Sequence, residues 1–101
     1  MSPEVALSVT EVRTGTFEVA GEIDAHSAPD LADRLSAVEV PVLVLDLSEV
    51  SFMDSSGLRV IVELHQRQVA AGGSLEIRRP SRPVSRLFDL GGLGTMLALE
   101  S

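Results

Sequence analysis

Apolar residues along this chain change their period several times, and each change marks an element. In VALSVTEV (5–12) they alternate, with Val5, Leu7 and Val9 on one side, the pattern of a half-buried strand. RTGT (13–16) supplies a glycine turn, and TFEVAGEI (16–23) alternates again through Phe17 and Val19, which predicts a hairpin. In SAPDLADRLSAV (27–38) the period lengthens. Leu31, Leu35 and Val38 recur at helical spacing behind the start signal of Ser27 with Asp30, and Pro29 suits a first turn. After Pro41 the run 42–47 is apolar except for Asp46, as in a strand buried on both faces. A second helix is expected from about Ser55 to Ala71. Its apolar stripe is Leu58, Ile61, Val62, His65 and Val69, and Gly72–Gly73 stop it. SLEIRR (74–79) predicts a short strand. RPVSRLFDLGG predicts a helix capped by Ser81, with Val84, Leu87 and Phe88 on its apolar face. TMLALE (95–100) fits either a last strand or a short helix.

This order, β-β-α-β-α-β-α-(β), gives an α/β fold: a mixed, mostly parallel sheet of four to five strands with three to four helices, the first strand antiparallel. In parallel units every strand-to-helix junction opens on the carboxyl edge of the sheet, where functional loops collect. Three junctions are expected to meet there: DAHS (24–27), DLSEVSFMDSS (46–56) and RPSR (79–82).

Composition narrows the chemistry. The 101 residues suffice for one domain, 1–101, with its own core. There is no cysteine, which removes disulfides and cysteine-bound metal sites. No apolar run approaches a membrane span, and MSPEVALSV lacks the features of a signal peptide, so a cytoplasmic location is expected. Fifteen acids face eight basic residues, a net charge of −7, and every basic residue is arginine. Lysine chemistry is therefore absent, and neither nucleic acid nor an anionic membrane is an expected partner. No glycine loop is arranged to cradle phosphate, and no cofactor is expected.

The stretch DSSG (54–57) has two readings. In one, Asp54 or Ser55 caps the second helix, Ser56 fills its first turn and Gly57 permits close packing on the sheet. In the other, a serine hydroxyl beside unpaired N–H groups and the positive end of the helix is a place where a phosphoryl group is tolerated without unfolding.

DLSEVSFMDSSGLRVI, with GEIDAHSAPDL upstream and RPVSRLFDLGGL downstream, closely resembles the anti-sigma factor antagonists, the small STAS domains of bacterial partner-switching systems. The resemblance spans about residues 5 to 99. It implies a STAS-like fold and phosphorylation of Ser55, the serine directly after Asp54, by a serine kinase that is itself the anti-sigma factor. It also implies a metal-dependent serine phosphatase as the reversing partner, and a functional role for Asp24. The unphosphorylated form is expected to bind the kinase and so release a sigma factor. The partner surface is expected to comprise Asp24, Asp54, Ser55, Ser56 and Gly57, with the exposed side of the helix as far as Arg67. The same fold could also serve as a scaffold of a larger signalling assembly, or a non-sigma pathway.

Other residues have plainer readings. Asp24 also fits an Asx-type strand end. His26 lies beside Asp24, but two histidines and no cysteine make a poor metal set. His65 reads as a core or boundary residue. Val60 and Leu64 form a second apolar strip on the side of Arg67, either buried or a docking face for the partner. Arg79, Arg82 and Arg86 form a basic cluster or a solvated face. A hydrolase is disfavoured, because D-S-S-G is not the G-x-S-x-G elbow. The protein is expected to have no catalysis of its own.

Overall fold

The computed structural model describes residues 7–93 and the backbone of 98–100. The chain runs β1 (Ser8–Arg13), β2 (Thr16–Ile23), α1 (Ala28–Ser36), β3 (Val42–Met53), α2 (Ser55–Ala70), β4 (Ser74–Arg78), α3 (Arg82–Leu90) and β5 (Ala98–Glu100). Val5 and residues 95–97, assigned above to the first and last elements, lie outside the described residues; 98–100 is strand. β1 and β2 form the antiparallel hairpin, and the remaining neighbours are parallel. The spatial order of the strands is their order in the chain. Right-handed crossovers advancing steadily in one direction put α1, α2 and α3 on the same face. With no reversal of strand order there is no switch-point crevice, so any site on the carboxyl edge is built from helix starts and loops.

The covered face carries the core, with Ile23, Leu45, Leu47 and Ile77 fully buried beneath Leu31, Leu35, Ile61 and Phe88. The inward face of α2 overlaps the expected one at Ile61, with Leu58 and Val62 partly buried against the core, but is centred elsewhere. Gly57, Val60, Ile61, Leu64 and Gln68 are buried, while Val69 is 55% exposed. Val60 and Leu64, at 6% and 3% exposure, are core residues and not a docking strip. Apolar residues cover more than half of this helix's circumference, so periodicity alone could not centre the stripe. Buried Gln68 is matched by its surroundings: its amide donates to the carbonyls of Val40 (3.0 Å) and Ser74 (3.1 Å), where β3 and β4 begin. Arg67 is not part of an open docking side either. It donates to the carbonyls of Leu35 (3.1 Å), Ser36 and Val38 (3.2 Å), serving the end of α1.

β3 is twice the expected length. It stays paired with β2 through two register shifts, opposite Glu18–Ala20 and Gly21–Glu22, which bring Val50 and Met53 onto the core face. Asp46 is therefore mid-strand and not part of a junction. Its carboxylate accepts the Ser48 N–H (2.9 Å), the Ser48 hydroxyl (2.7 Å) and the Arg79 guanidinium, holding the first bulge. Arg79 is thus an ion-pair partner of Asp46, in a left-handed backbone conformation with φ 47°.

Burial pushes the Asp46 carboxyl up, but the Ser48 hydrogen bonds and the Arg79 cation together hold it below its ordinary value. A lowered folded pKa adds stability above the unfolded value, about 3.9, and that stability is lost as pH falls through the folded pKa. Asp46→Asn is therefore expected to lower stability at neutral pH and flatten the loss below about pH 4. Urea unfolding of both proteins between pH 3 and 7 checks this; parallel curves would remove Asp46 from the acid response.

Candidate functional site

β2 and β3 end level with each other. Ile23 pairs with Met53, and the Asp54 N–H donates to the Ile23 carbonyl at 3.1 Å. The loops beginning at Asp24 and Asp54 therefore start side by side. The third junction does not join them. β4 stops pairing at Arg78 opposite Asp46, and Ser81 lies against Leu47 and Val50, well below the top of β3. Two of the three expected junctions meet because β3 outruns β4.

The DAHS turn is organised by Asp24. Its carboxylate accepts the N–H groups of His26 and Ser27, both at 3.0 Å, and the Ser27 hydroxyl at 3.2 Å. The Ser27 N–H, with smaller help from the Ser27 hydroxyl and His26, outweighs partial burial and lowers the Asp24 pKa. Ser27 does not cap α1. Its backbone is already helical (φ −95°, ψ −20°), and its hydroxyl turns back to the Glu22 carbonyl at 2.9 Å.

At the neighbouring turn the capping question is resolved in favour of Asp54. Its extended backbone (φ −109°, ψ −171°) lets the carboxylate accept the N–H groups of Ser56 (2.8 Å) and Gly57 (3.4 Å). Ser55 is the first helical residue and is exposed. The cap and the candidate acceptor are separate residues, so the Ser55 hydroxyl is not consumed by the helix end. Gly57 presses this end onto the strand tips: a Cβ there would lie 2.7 Å from both Ile23 Cγ2 and Met53 Cγ. Asp54→Ala is expected to cost about 1 kcal/mol, while Ser55→Ala stays within about 0.5 kcal/mol of the parent. Thermal unfolding that reversed this order would make Ser55 the cap.

Two features here escaped the sequence reading. Phe52, opposite Glu22 at the top of β3, is 47% exposed, whereas Phe17 and Phe88 are buried. An apolar residue beside the acidic pair Asp24 and Asp54 gives this edge a mixed character. An open groove of about 930 Å³ also runs from Ser55 and Ser56 between α1 and α2, past Ala28, Ala32, Arg59 and Glu63. Among the described residues no group of three or more His, Cys, Asp or Glu side chains is placed to hold a metal ion. No helix among them is long and apolar enough to cross a membrane.

A five-stranded sheet in chain order, with D-S-S-G starting the second helix at its carboxyl edge, can be set against known families. The STAS domain family matches residues 7–101. The chain belongs to the STAS domain family. Among its relatives, the anti-sigma-B factor antagonist of Bacillus subtilis (strain 168) is 39% identical over 85 residues, covering 82% of this chain and 78% of that protein. The solved structure of an anti-sigma factor antagonist from Mycobacterium paratuberculosis superposes with a TM-score of 0.85 at 28% identity, covering 99% of this chain and 90% of that one. The anti-sigma factor antagonist SpoIIAA, in its unphosphorylated form, shares the fold at 24% identity with a TM-score of 0.77, covering 95% of this STAS chain and 89% of its own. SpoIIAA has also been solved in a phosphorylated form, with a TM-score of 0.71 at 24% identity, covering 95% of this chain and 92% of its own.

Proposed function

We propose that this STAS chain, acting as one domain over residues 1–101, is a cytoplasmic anti-sigma factor antagonist with no catalysis of its own. In its unphosphorylated form it binds an anti-sigma factor that is a serine kinase, and a sigma factor is released. The kinase transfers the γ-phosphoryl group of ATP to the Ser55 hydroxyl, the hydroxyl proton passing to a base of the kinase and ADP leaving. A metal-dependent serine phosphatase restores the serine by transferring its phosphoryl group to water, releasing inorganic phosphate. Asp24, Asp54, Ser55 and Ser56 form the contact surface, while Gly57, expected to belong to it, is buried and holds the start of α2 against the strand tips.

The observation that carries this reading is the exposed Ser55 hydroxyl at the start of α2, left available because Asp54 takes the capping role. Its neighbours explain a switch. Asp24 and Asp54 already make the edge acidic, and Asp54 already occupies the N–H groups of Ser56 and Gly57. A phosphoryl group there adds about 1.5 to 2 negative charges, with less compensation from the helix end than a bare terminus would offer. The fold is retained and the contact surface becomes strongly repulsive to an anionic or apolar partner face.

The test is site mapping by mass spectrometry after incubation with ATP and an extract of its own cells, alongside Ser55→Ala. One phosphoryl group on Ser55, absent from the variant, is expected, with a kinase retained only by the unmodified protein. Equal modification of Ser55→Ala, or equal retention of the kinase by both forms, would overturn the reading.

A further inference from the structure

β3 is held on both sides only as far as Asp46. Beyond that point it remains paired with β2, but β4 has ended, and two bulges loosen the register of the segment leading to Ser55. On the β4 side Ser81 supplies two donors to this segment. The Ser81 N–H donates to the Leu47 carbonyl at 3.2 Å, and the Ser81 hydroxyl to the Val50 carbonyl at 2.6 Å. Two residues earlier, the Arg79 guanidinium is fixed on Asp46, at the base of the same segment. Ser81 stands at the N-cap position of α3 in an extended conformation suited to capping (φ −61°, ψ 163°), yet its side chain makes no cap bond. Its hydroxyl is committed to β3 instead.

We propose that Ser81 is a positioning residue for the phosphorylation site, standing in for the missing length of β4 and, with Arg79 on Asp46, holding the upper half of β3 in register. The proposal rests on the reading of Ser55 as acceptor. The mechanical link is short. Val50 lies between the two bulges, and Met53, the last residue of the strand, packs against the position of Gly57 in the first turn of α2. A strand end paired on one side only frays by local opening, and fraying here would spread the position of the Ser55 hydroxyl before a kinase could engage it. RPSR thus acts on the site from below, although it does not line it.

The test compares Ser81→Ala and Ser81→Thr with Val84→Ala, which removes core packing from α3 while leaving Ser81 in place. Amide hydrogen exchange is followed along β3. For Ser81→Ala, exchange at residues 49–53 is expected to quicken roughly five- to tenfold while residues 43–45 keep their protection, as for loss of one part-buried hydrogen bond in a local opening. Threonine should restore it. Uniform acceleration along β3, or the same local pattern in Val84→Ala, would overturn the clamp. Phosphorylation of Ser55 is then followed with the same extract and ATP. Its rate should fall for Ser81→Ala, recover for Ser81→Thr, and stay near the parent for Val84→Ala at a temperature where all three remain folded. Local opening with an unchanged rate would overturn the positioning role. Absence of phosphate on Ser55 in the parent would instead overturn the acceptor reading, and the exchange data would still judge the clamp.

Discussion

Gly73→Ala is expected to destabilise the domain by about 3 kcal/mol, combining a severe steric clash with loss of a backbone hydrogen bond. A Cβ at this position would fall on the carbonyl oxygen of Pro41, well inside van der Waals contact, and close to two more backbone atoms of that residue. That carbonyl accepts the Ser74 N–H at 2.9 Å, while the Gly73 N–H donates to the Gln68 carbonyl at 2.7 Å. Backbone on both sides leaves no flexible side-chain end to move aside. For a domain of this size the loss corresponds to a fall in Tm on the order of 15 °C. Gly72→Ala is the informative control. Gly72 has φ 84° and nothing within 4 Å of a built Cβ, so only the left-handed conformation is penalised, at about 1 kcal/mol. Thermal unfolding of the two variants should separate them clearly. Equal losses would mean that the turn shifts freely and that the approach to Pro41 is not a constraint.

Gly57→Ala should cost about 2 kcal/mol and reduce phosphorylation at Ser55. The obstacles here are side-chain atoms, Ile23 Cγ2 and Met53 Cγ, each 2.7 Å from the built Cβ. These ends can yield in part, so the penalty is smaller than at Gly73, but relief comes by tilting the start of α2 away from the strand tips. That movement carries Asp54 and Ser55 with it and stretches the bond from Asp54 N–H to the Ile23 carbonyl. Loss of stability with phosphorylation and kinase binding unchanged would show that the partner tolerates such a shift. Truncating Met53 to Ala in the same chain makes room for the added methyl, so the double variant should lose less than the sum of the singles.

Much of this architecture follows from local pattern. Alternation placed β1 and β2, helical spacing placed α1 and the apolar face of α3, and Gly15 with φ 79° supplied the hairpin turn. These readings hold because each depends on a period within one segment. Asp54, Ser55 and Gly57 were also legible, since an acid, a hydroxyl and a glycine at a strand-to-helix step allow few conformations. A cap at DSSG was legible, but that Asp54 rather than Ser55 supplies it was not, because either residue can cap when only the sequence is considered.

Tertiary contacts decided the rest. Ser27 and Ser81 stand at the N-cap positions of α1 and α3, yet neither side chain makes a cap bond, and both hydroxyls donate to strand carbonyls, at Glu22 and Val50. β3 outgrew its apolar run because pairing with β2, through two bulges, satisfies backbone that hydropathy would leave as loop. Val60 and Leu64 went to the core because the sheet selected one arc of a helix apolar over a wide arc, and Gln68 joined them because three strand-end carbonyls face it. The order of the elements and the small polar residues of the strand-to-helix step at Ser55 follow from the chain alone. Which face of α2 is buried, where the Ser27 and Ser81 hydroxyls bond, and that the loop at Asp24 rather than RPSR starts beside the Asp54 turn came from packing, since each depends on which hydrogen-bond acceptors and apolar surfaces distant segments bring within reach.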